Sequence, residues 1–109
     1  MHELAISRNI VAIVSERAGS ARVKRVTLEI GKLTAVVPDS IRFCFDACAA
    51  GTTLEGAELE IREIEPRARC TQCALTFDFE TYIPLCACGS VHAECIAGQE
   101  LSVKEMELF

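Results

Sequence analysis

Cys70-Thr-Gln-Cys73, twelve intervening residues, then Cys86-Ala-Cys88-Gly89: this stretch decides how the fold of the chain is read. Two close thiol pairs at that separation can close around one tetrahedral ion, and thiolates are ligands that zinc favours. Within each pair a single backbone turn presents two sulfurs to the same ion. The second pair completes the tetrahedron and fixes a hairpin that has little apolar core of its own. Four thiolates leave no open coordination position, so a closed site of this kind is structural and not catalytic. Cysteines buried as ordinary small hydrophobes rarely come in such pairs. The second pair is Cys-x-Cys where Cys-x-x-Cys is usual, and His92 and Cys95 stand just downstream as alternative ligands.

Outward from the block, Pro66 with Arg67 and Arg69 marks its entry, and inside it Phe77 and Phe79 alternate with Asp78 and Glu80, as in a short hairpin strand. Beyond Gly98 the chain reads Leu101-Ser-Val103-Lys-Glu-Met106-Glu-Leu108. The apolar alternation shifts phase near Glu105, which predicts a strand with a bulge or a change of face. Upstream, Leu4, Ile6, Ile10, Val11, Ile13, Val14 and Ala18 recur at helical spacing, giving a first helix of about four turns that ends near Gly19. Val26, Leu28 and Ile30 alternate with Arg25, Thr27 and Glu29, the pattern of a half-buried strand. Gly31 to Val37 is a connector. Pro38-Asp39-Ser40 starts a second helix, because proline's missing N–H has no helical partner in the first turn. Ile41, Cys44, Phe45 and Cys48 form its apolar stripe, and Gly51 is placed to end it. Leu59 and Ile61, alternating with Glu58, Glu60 and Arg62, predict a second strand. If the last strand rejoins the first sheet, the cysteine block is an insertion. The expected fold is α+β: two helices packed on a small mixed β-sheet, with an inserted zinc-ribbon-like β subdomain. Residues 1–65 plus 99–109 form the α/β domain and residues 66–98 the zinc-binding subdomain.

The chain has 109 residues, half of them hydrophobic, enough for one small core. Its net charge of −5 argues against a nucleic-acid partner, whose phosphates are bound mainly by clustered Lys and Arg. Its apolar runs are too short to cross a bilayer, so no membrane association is expected. No basic segment followed by an apolar stretch opens the chain, and seven unevenly spaced cysteines do not suggest a secreted disulfide scaffold. Metal binding in the cytoplasm is the expectation. Thiol-redox chemistry at Cys70 and Cys73 competes with it, but thioredoxin-like Cys-x-x-Cys sits at a helix start in a βαβ setting, which is missing here. Cys44 and Cys48, at i and i+4 on the second helix, read as packing residues.

The other end of the chain carries a quieter constellation, Met1-His2-Glu3. Histidine at position two can chelate through the α-amine, its own backbone nitrogen and its imidazole. Several nitrogens in one plane suit Ni²⁺ or Cu²⁺ and not zinc. Glu3 offers a backbone amide or a carboxylate. Alone the signal is weak, since a solvated terminus carries the same residues by chance.

Taken together these segments resemble the HypA/HybF family of hydrogenase nickel-incorporation (maturation) proteins, over essentially the whole chain. The resemblance rests on an ordered set: Met1-His2-Glu3-Leu4, Val26-Thr-Leu-Glu-Ile-Gly31-Lys-Leu33, Pro38-Asp-Ser-Ile-Arg-Phe43-Cys-Phe45, the cysteine block, Cys88-Gly89-Ser90 and Gly98-Gln-Glu100-Leu101. It implies a Ni(II) site on the Met1 amine, the His2 backbone and imidazole nitrogens and the Glu3 backbone. It also implies a structural Zn(II) held by Cys70, Cys73, Cys86 and Cys88. Its implied partners are the GTPase HypB and the large subunit of [NiFe]-hydrogenase, and some members also serve urease. Two positions depart from the pattern of many relatives: Leu85 stands where a cysteine would complete Cys-x-x-Cys, and Val37 where an acidic residue precedes the proline.

The resemblance thus implies a nickel metallochaperone, with no enzymatic activity of its own. A different class, a zinc-ribbon protein-interaction adaptor without a specific nickel site, predicts no second metal site that depends on His2. A hydrolase lacks support, because no nucleophile–base pairing and no glycine-rich phosphate loop is present.

Overall fold

The computed structural model describes residues 2–80 and 83–109. Helix α1 spans Glu3–Ala18, strand β1 Val23–Gly31, helix α2 Pro38–Ala49 and strand β2 Glu58–Ile64. Strands β3 (Arg67–Cys70), β4 (Thr76–Asp78) and β5 (Ala93–Ala97) follow, and β6 (Leu101–Leu108) closes the chain. A 3-10 turn at Lys32–Thr34 lies inside the segment read from sequence as a plain connector.

The first sheet has the order β2-β1-β6, with β2 parallel and β6 antiparallel to the central β1. It is therefore mixed, and α2 supplies the crossover that a parallel pair requires. Val23, Val26, Leu28 and Ile30 of β1 turn into the core against Ile10, Val11 and Val14 of α1 and Ile41, Phe45 and Ala49 of α2. The expected phase shift in the last strand is a bulge. Thr27 pairs with Glu105 and Leu28 with Val103, so Lys104 is the extra residue. A second irregularity at Lys24 keeps Val23 on the same face as Val26. Both bulges let apolar residues spaced three apart share one face.

Helix α1 ends where Gly19 adopts φ +62° and its N–H bonds back to the Ser15 carbonyl. Its buried line is Ser7, Ile10, Val11 and Val14, whereas Leu4 and Ile13 are half-exposed. Apolar periodicity cannot announce a serine in the core. Ser7 is there because its small side chain lets α2 come close, and its Oγ donates to the Ile41 carbonyl at 3.5 Å. On α2 the deepest residues are Ile41, Phe45 and Ala49, with Cys44 and Cys48 half-buried. Cys48 faces the groove between the two helices, beside Leu4 and Arg8.

The sheet face away from the helices carries charge. Arg25 bonds both Glu58 and Glu107, Arg62 meets Glu60 and Glu105, and Lys104 meets Glu29. Thr27 lies at the centre of that face, paired with Glu60 on one side and Glu105 on the other, and is buried there despite its outward position.

The second sheet, β4-β3-β5, is wholly antiparallel. Among the described residues this sheet and its loops bury few apolar side chains: Ala68, Cys70, Phe79 and Cys86. The two sheets meet where the chain enters at Pro66 and leaves at Gly98. Gly31 donates to the Glu100 carbonyl at 2.7 Å and Leu33 to that of Gly98 at 2.8 Å. A Cβ on Gly31 would lie 2.1 Å from the Gly98 carbonyl carbon, and one on Gly98 2.7 Å from the Pro66 Cα. Backbone packs directly on backbone there, and only glycine permits it. The molecule measures 54 × 23 × 17 Å with a radius of gyration of 17.1 Å, against about 13 Å for a compact chain of this length. Among the described residues no helix is long and apolar enough to cross a membrane.

Candidate metal centres

Two backbone turns build the cysteine centre. In the first, Cys70 ends β3, the Ala74 N–H bonds the Cys70 carbonyl at 2.9 Å, and Ala74 takes φ +62° to close the turn. In the second, the Gly89 N–H bonds the Cys86 carbonyl at 2.9 Å with Gly89 at φ +90°, and the Cys86 N–H bonds the Ser90 carbonyl. Backbone N–H groups also point at sulfur: Gln72 at Cys70 Sγ, 3.4 Å, and Cys88 at Cys86 Sγ, 3.5 Å.

The turns bring Cys70, Cys73, Cys86 and Cys88 together, with all four sulfurs within 4.8 Å of one another. Cys70 and Cys88 sulfurs lie 3.7 Å apart and those of Cys73 and Cys86 3.6 Å. A disulfide would need about 2.05 Å. A tetrahedron of thiolates with Zn–S bonds of about 2.3 Å has edges of about 3.8 Å, so the donor set fits zinc in chemistry and in size. Cys70 and Cys86 are buried, Cys73 and Cys88 exposed.

Charge in so tight a group is uneven. The Cys73 N–H is the main influence drawing the Cys70 thiol down to about 6, against the opposing cost of burial. The Cys86 thiol is pushed up to about 12. The Cys88 N–H favours its thiolate, but burial and the three neighbouring sulfurs outweigh that. Four thiolates cannot all ionise side by side unless a cation is present to share them.

His92 and Cys95, the alternative ligands, are outside this group of four. The His92 carbonyl instead accepts the Thr71 N–H at 2.9 Å and the Thr71 hydroxyl at 2.7 Å, tying the two turns together. Cys95 donates its thiol to the Ala97 carbonyl at 3.2 Å. Leu85, at the departure from Cys-x-x-Cys, is exposed, while Cys86 reaches the cluster from the next position. No helix begins at Cys70, so the thioredoxin-like setting is absent.

At the other end, Met1 lies outside the described residues. His2 is the N-cap of α1, exposed, with its carbonyl accepting the Ile6 N–H at 3.0 Å. The Glu3 carboxylate does something the sequence did not announce: it accepts the backbone N–H of Val37, the N-cap of α2, at 3.3 Å. That bond, then the N–H of Glu3 itself, holds the carboxyl below its ordinary range. Glu3 therefore joins the starts of both helices, and the side chain anchors the segment that bears His2. A carboxylate in the first turn at position 3 was the one available signal. That it reaches across to position 37 depends on the two helices running side by side.

Fold and sites together define a class: a small two-helix α+β protein with a four-cysteine cluster at one end and an exposed histidine at the start of its first helix. The family described as hydrogenase/urease nickel incorporation, metallochaperone, HypA, matches residues 1–108. The chain is 56% identical over 108 residues to the hydrogenase maturation factor HypA of Nostoc sp. (strain PCC 7120), covering 99% of this chain and 96% of that one. It is 46% identical over 109 residues to the factor of the same name from Geobacter sulfurreducens, covering 99% of each. Among solved structures, the Ni metallochaperone HypA from Helicobacter pylori matches with a TM-score of 0.69 at 22% identity, over 99% of this chain and 97% of that one. A second HypA solution structure matches at 0.74 and 19%, over 100% and 97%. At those identities the structural likeness speaks to the fold alone. The chain belongs to the HypA family of hydrogenase/urease nickel-incorporation metallochaperones.

Proposed function

We propose that this chain carries Ni(II) on its N-terminus and passes it to the large subunit of [NiFe]-hydrogenase, working with the GTPase HypB and without a catalytic step of its own. The ligands are the Met1 amine, the His2 backbone and imidazole nitrogens and the Glu3 backbone. The observation that carries this reading is the exposed His2 at the helix start, beside a Glu3 whose carboxylate is engaged at Val37. The carboxylate is thus held in a structural role and the nitrogens are left as the natural donors. A chelate at an exposed helix start is reachable by a partner, which ligand exchange during delivery requires. Because copper outcompetes nickel at nitrogen ligands, selectivity rests on metal availability and on partner docking.

In the same reading, residues 66–98 form a subdomain folded around a structural Zn(II) on Cys70, Cys73, Cys86 and Cys88. Residues 1–65 with 99–109 form the nickel-bearing domain. The seven free cysteines suit the reducing cytoplasm.

Nickel titration of zinc-loaded protein tests the proposal. His2→Ala is expected to lose more than about 100-fold in nickel affinity, since even groups that only orient a ligand cost 10–100-fold. Hydrogenase maturation falls with it. X-ray absorption at both metal edges should report sulfur at zinc and nitrogen at nickel, with only the nickel edge altered by the substitution. Unchanged nickel affinity and maturation would leave a zinc-built adaptor as the reading.

A further inference from the structure

We propose that Cys44 and Cys48 bind one soft monovalent cation, Cu(I), as a two-coordinate bis-thiolate site on α2, apart from both metal centres described above. The two cysteines stand at i and i+4 on one regular helix. Their side chains therefore leave it about 40° apart and one turn apart, with Cβ atoms separated by about 5–6 Å. A linear sulfur–metal–sulfur unit, with bonds near the zinc–sulfur length of about 2.3 Å, spans about 4–5 Å. Rotation about the two Cα–Cβ bonds reaches that span without disturbing the helix. A disulfide needs Cβ atoms at about 3.8 Å, closer than the helix holds them. The pair is spaced for an ion between its sulfurs and not for a bond between them.

The surroundings of the pair agree with this use. Ile41, Phe45 and Ala49 form the buried line of α2, and Cys44 and Cys48 lie together on one flank of it, half-buried. Among the described residues neither thiol has a hydrogen-bond partner, whereas that of Cys95 is engaged at the Ala97 carbonyl. Cys48 opens on a groove of about 480 Å³ between the helices, which gives an ion a way in. Arg8 lines the same groove, and among the described residues its guanidinium makes no ion pair or hydrogen bond. A Cu(I) bis-thiolate carries a charge of −1, and Arg8 is the counter-charge placed beside it.

The donor set selects the ion. Two thiolates satisfy soft Cu(I), whereas zinc completes a tetrahedron of four ligands and divalent nickel suits nitrogen donors. Binding exchanges two thiol protons for one cation, and no atom changes oxidation state. A soft-ion site on α2 also gives copper a destination other than the N-terminal nitrogens. That consequence, unlike the site itself, rests on the nickel reading proposed above.

Anaerobic titration of zinc-loaded protein with Cu(I), against a coloured Cu(I) chelator of known affinity, tests this, with released zinc read in parallel. The first equivalent is expected to bind without releasing zinc, and the copper X-ray absorption edge to report two sulfurs in line. That equivalent should slow alkylation of Cys44 and Cys48 by N-ethylmaleimide and leave Cys95 reactive, as read by peptide mass. Cys44→Ala and Cys48→Ala should each weaken the site about 100-fold or more, since groups that only orient a ligand already cost 10–100-fold. Arg8→Ala should weaken it about two- to five-fold, and Cys95→Ala should leave it unchanged. The proposal is overturned by a first equivalent that displaces zinc, or by an edge showing nitrogen or more than two sulfurs. Equal alkylation of Cys44 and Cys48 with and without copper, or an affinity that neither alanine variant at those positions alters, overturns it as well.

Discussion

Single residues hold the two candidate sites in place. Glu3 bonds the Val37 N–H, and its carboxyl is held below the ordinary range by that bond first. A group so depressed contributes stability above its unfolded value and loses that contribution as pH falls through its folded value. Protection of the Val37 amide, its exchange taken relative to the intrinsic rate at each pH, should therefore fall on acidification through the carboxylate range, and Glu3→Gln should flatten that dependence. Two glycines should differ sharply when changed to alanine. At Gly89 nothing lies within 4 Å of an added Cβ, so the cost is that of φ +90° alone, about 1–2 kcal/mol. At Gly31 the new Cβ would meet the Gly98 carbonyl group at 2.1 Å, backbone that cannot swing aside, and the cost should be about 3 kcal/mol or more. Denaturant unfolding of the zinc-loaded variants measures both. Gly31 and Gly98 were visible in the sequence only as letters of a family pattern. What makes them glycines is a contact between positions far apart in the chain, which no local periodicity encodes.

At the scale of elements, the two sheets are stabilised by different means. The β2-β1-β6 sheet and its helices share one apolar cluster, and Phe45 at its centre is fully buried. Phe45→Ala should cost about 3–5 kcal/mol, read from the shift of the denaturant midpoint. The β4-β3-β5 sheet buries too little to stand alone, and its turns converge on four sulfurs. Removing the metal with a chelator should unfold residues 66–98 while helix and sheet signals of the remainder persist, as followed by amide exchange. Loss of the whole fold on chelation would show that the larger core depends on the smaller sheet. Both helices, the first strands and even the bulge of β6 were legible, because each rests on the spacing of apolar residues within one segment. Ser7 in the core and Thr27 under the ion-pair lattice were not, since their burial comes from neighbours in other segments.

Over the whole molecule, length is the notable property. Scattering from dilute monomer should give a radius of gyration near the 17.1 Å of the structure, and a value near about 13 Å would mean that the two sheets fold onto each other. The sequence by itself determined the α+β class, the two helices, the return of the last strand and the four thiols, because periodicity and close cysteine spacing act locally. It also singled out His2 as an expected nickel ligand, through an ordered set of motifs and not through any one of them. Tertiary structure alone decided that Cys86 and Cys88 join Cys70 and Cys73 while His92 and Cys95 stay outside. It alone turned the Glu3 carboxylate toward Val37, set Gly31 against Gly98, and left one edge of β6 open. The physical reason is common to all of these: each depends on the distance and direction between groups that the chain brings together only after its elements have packed.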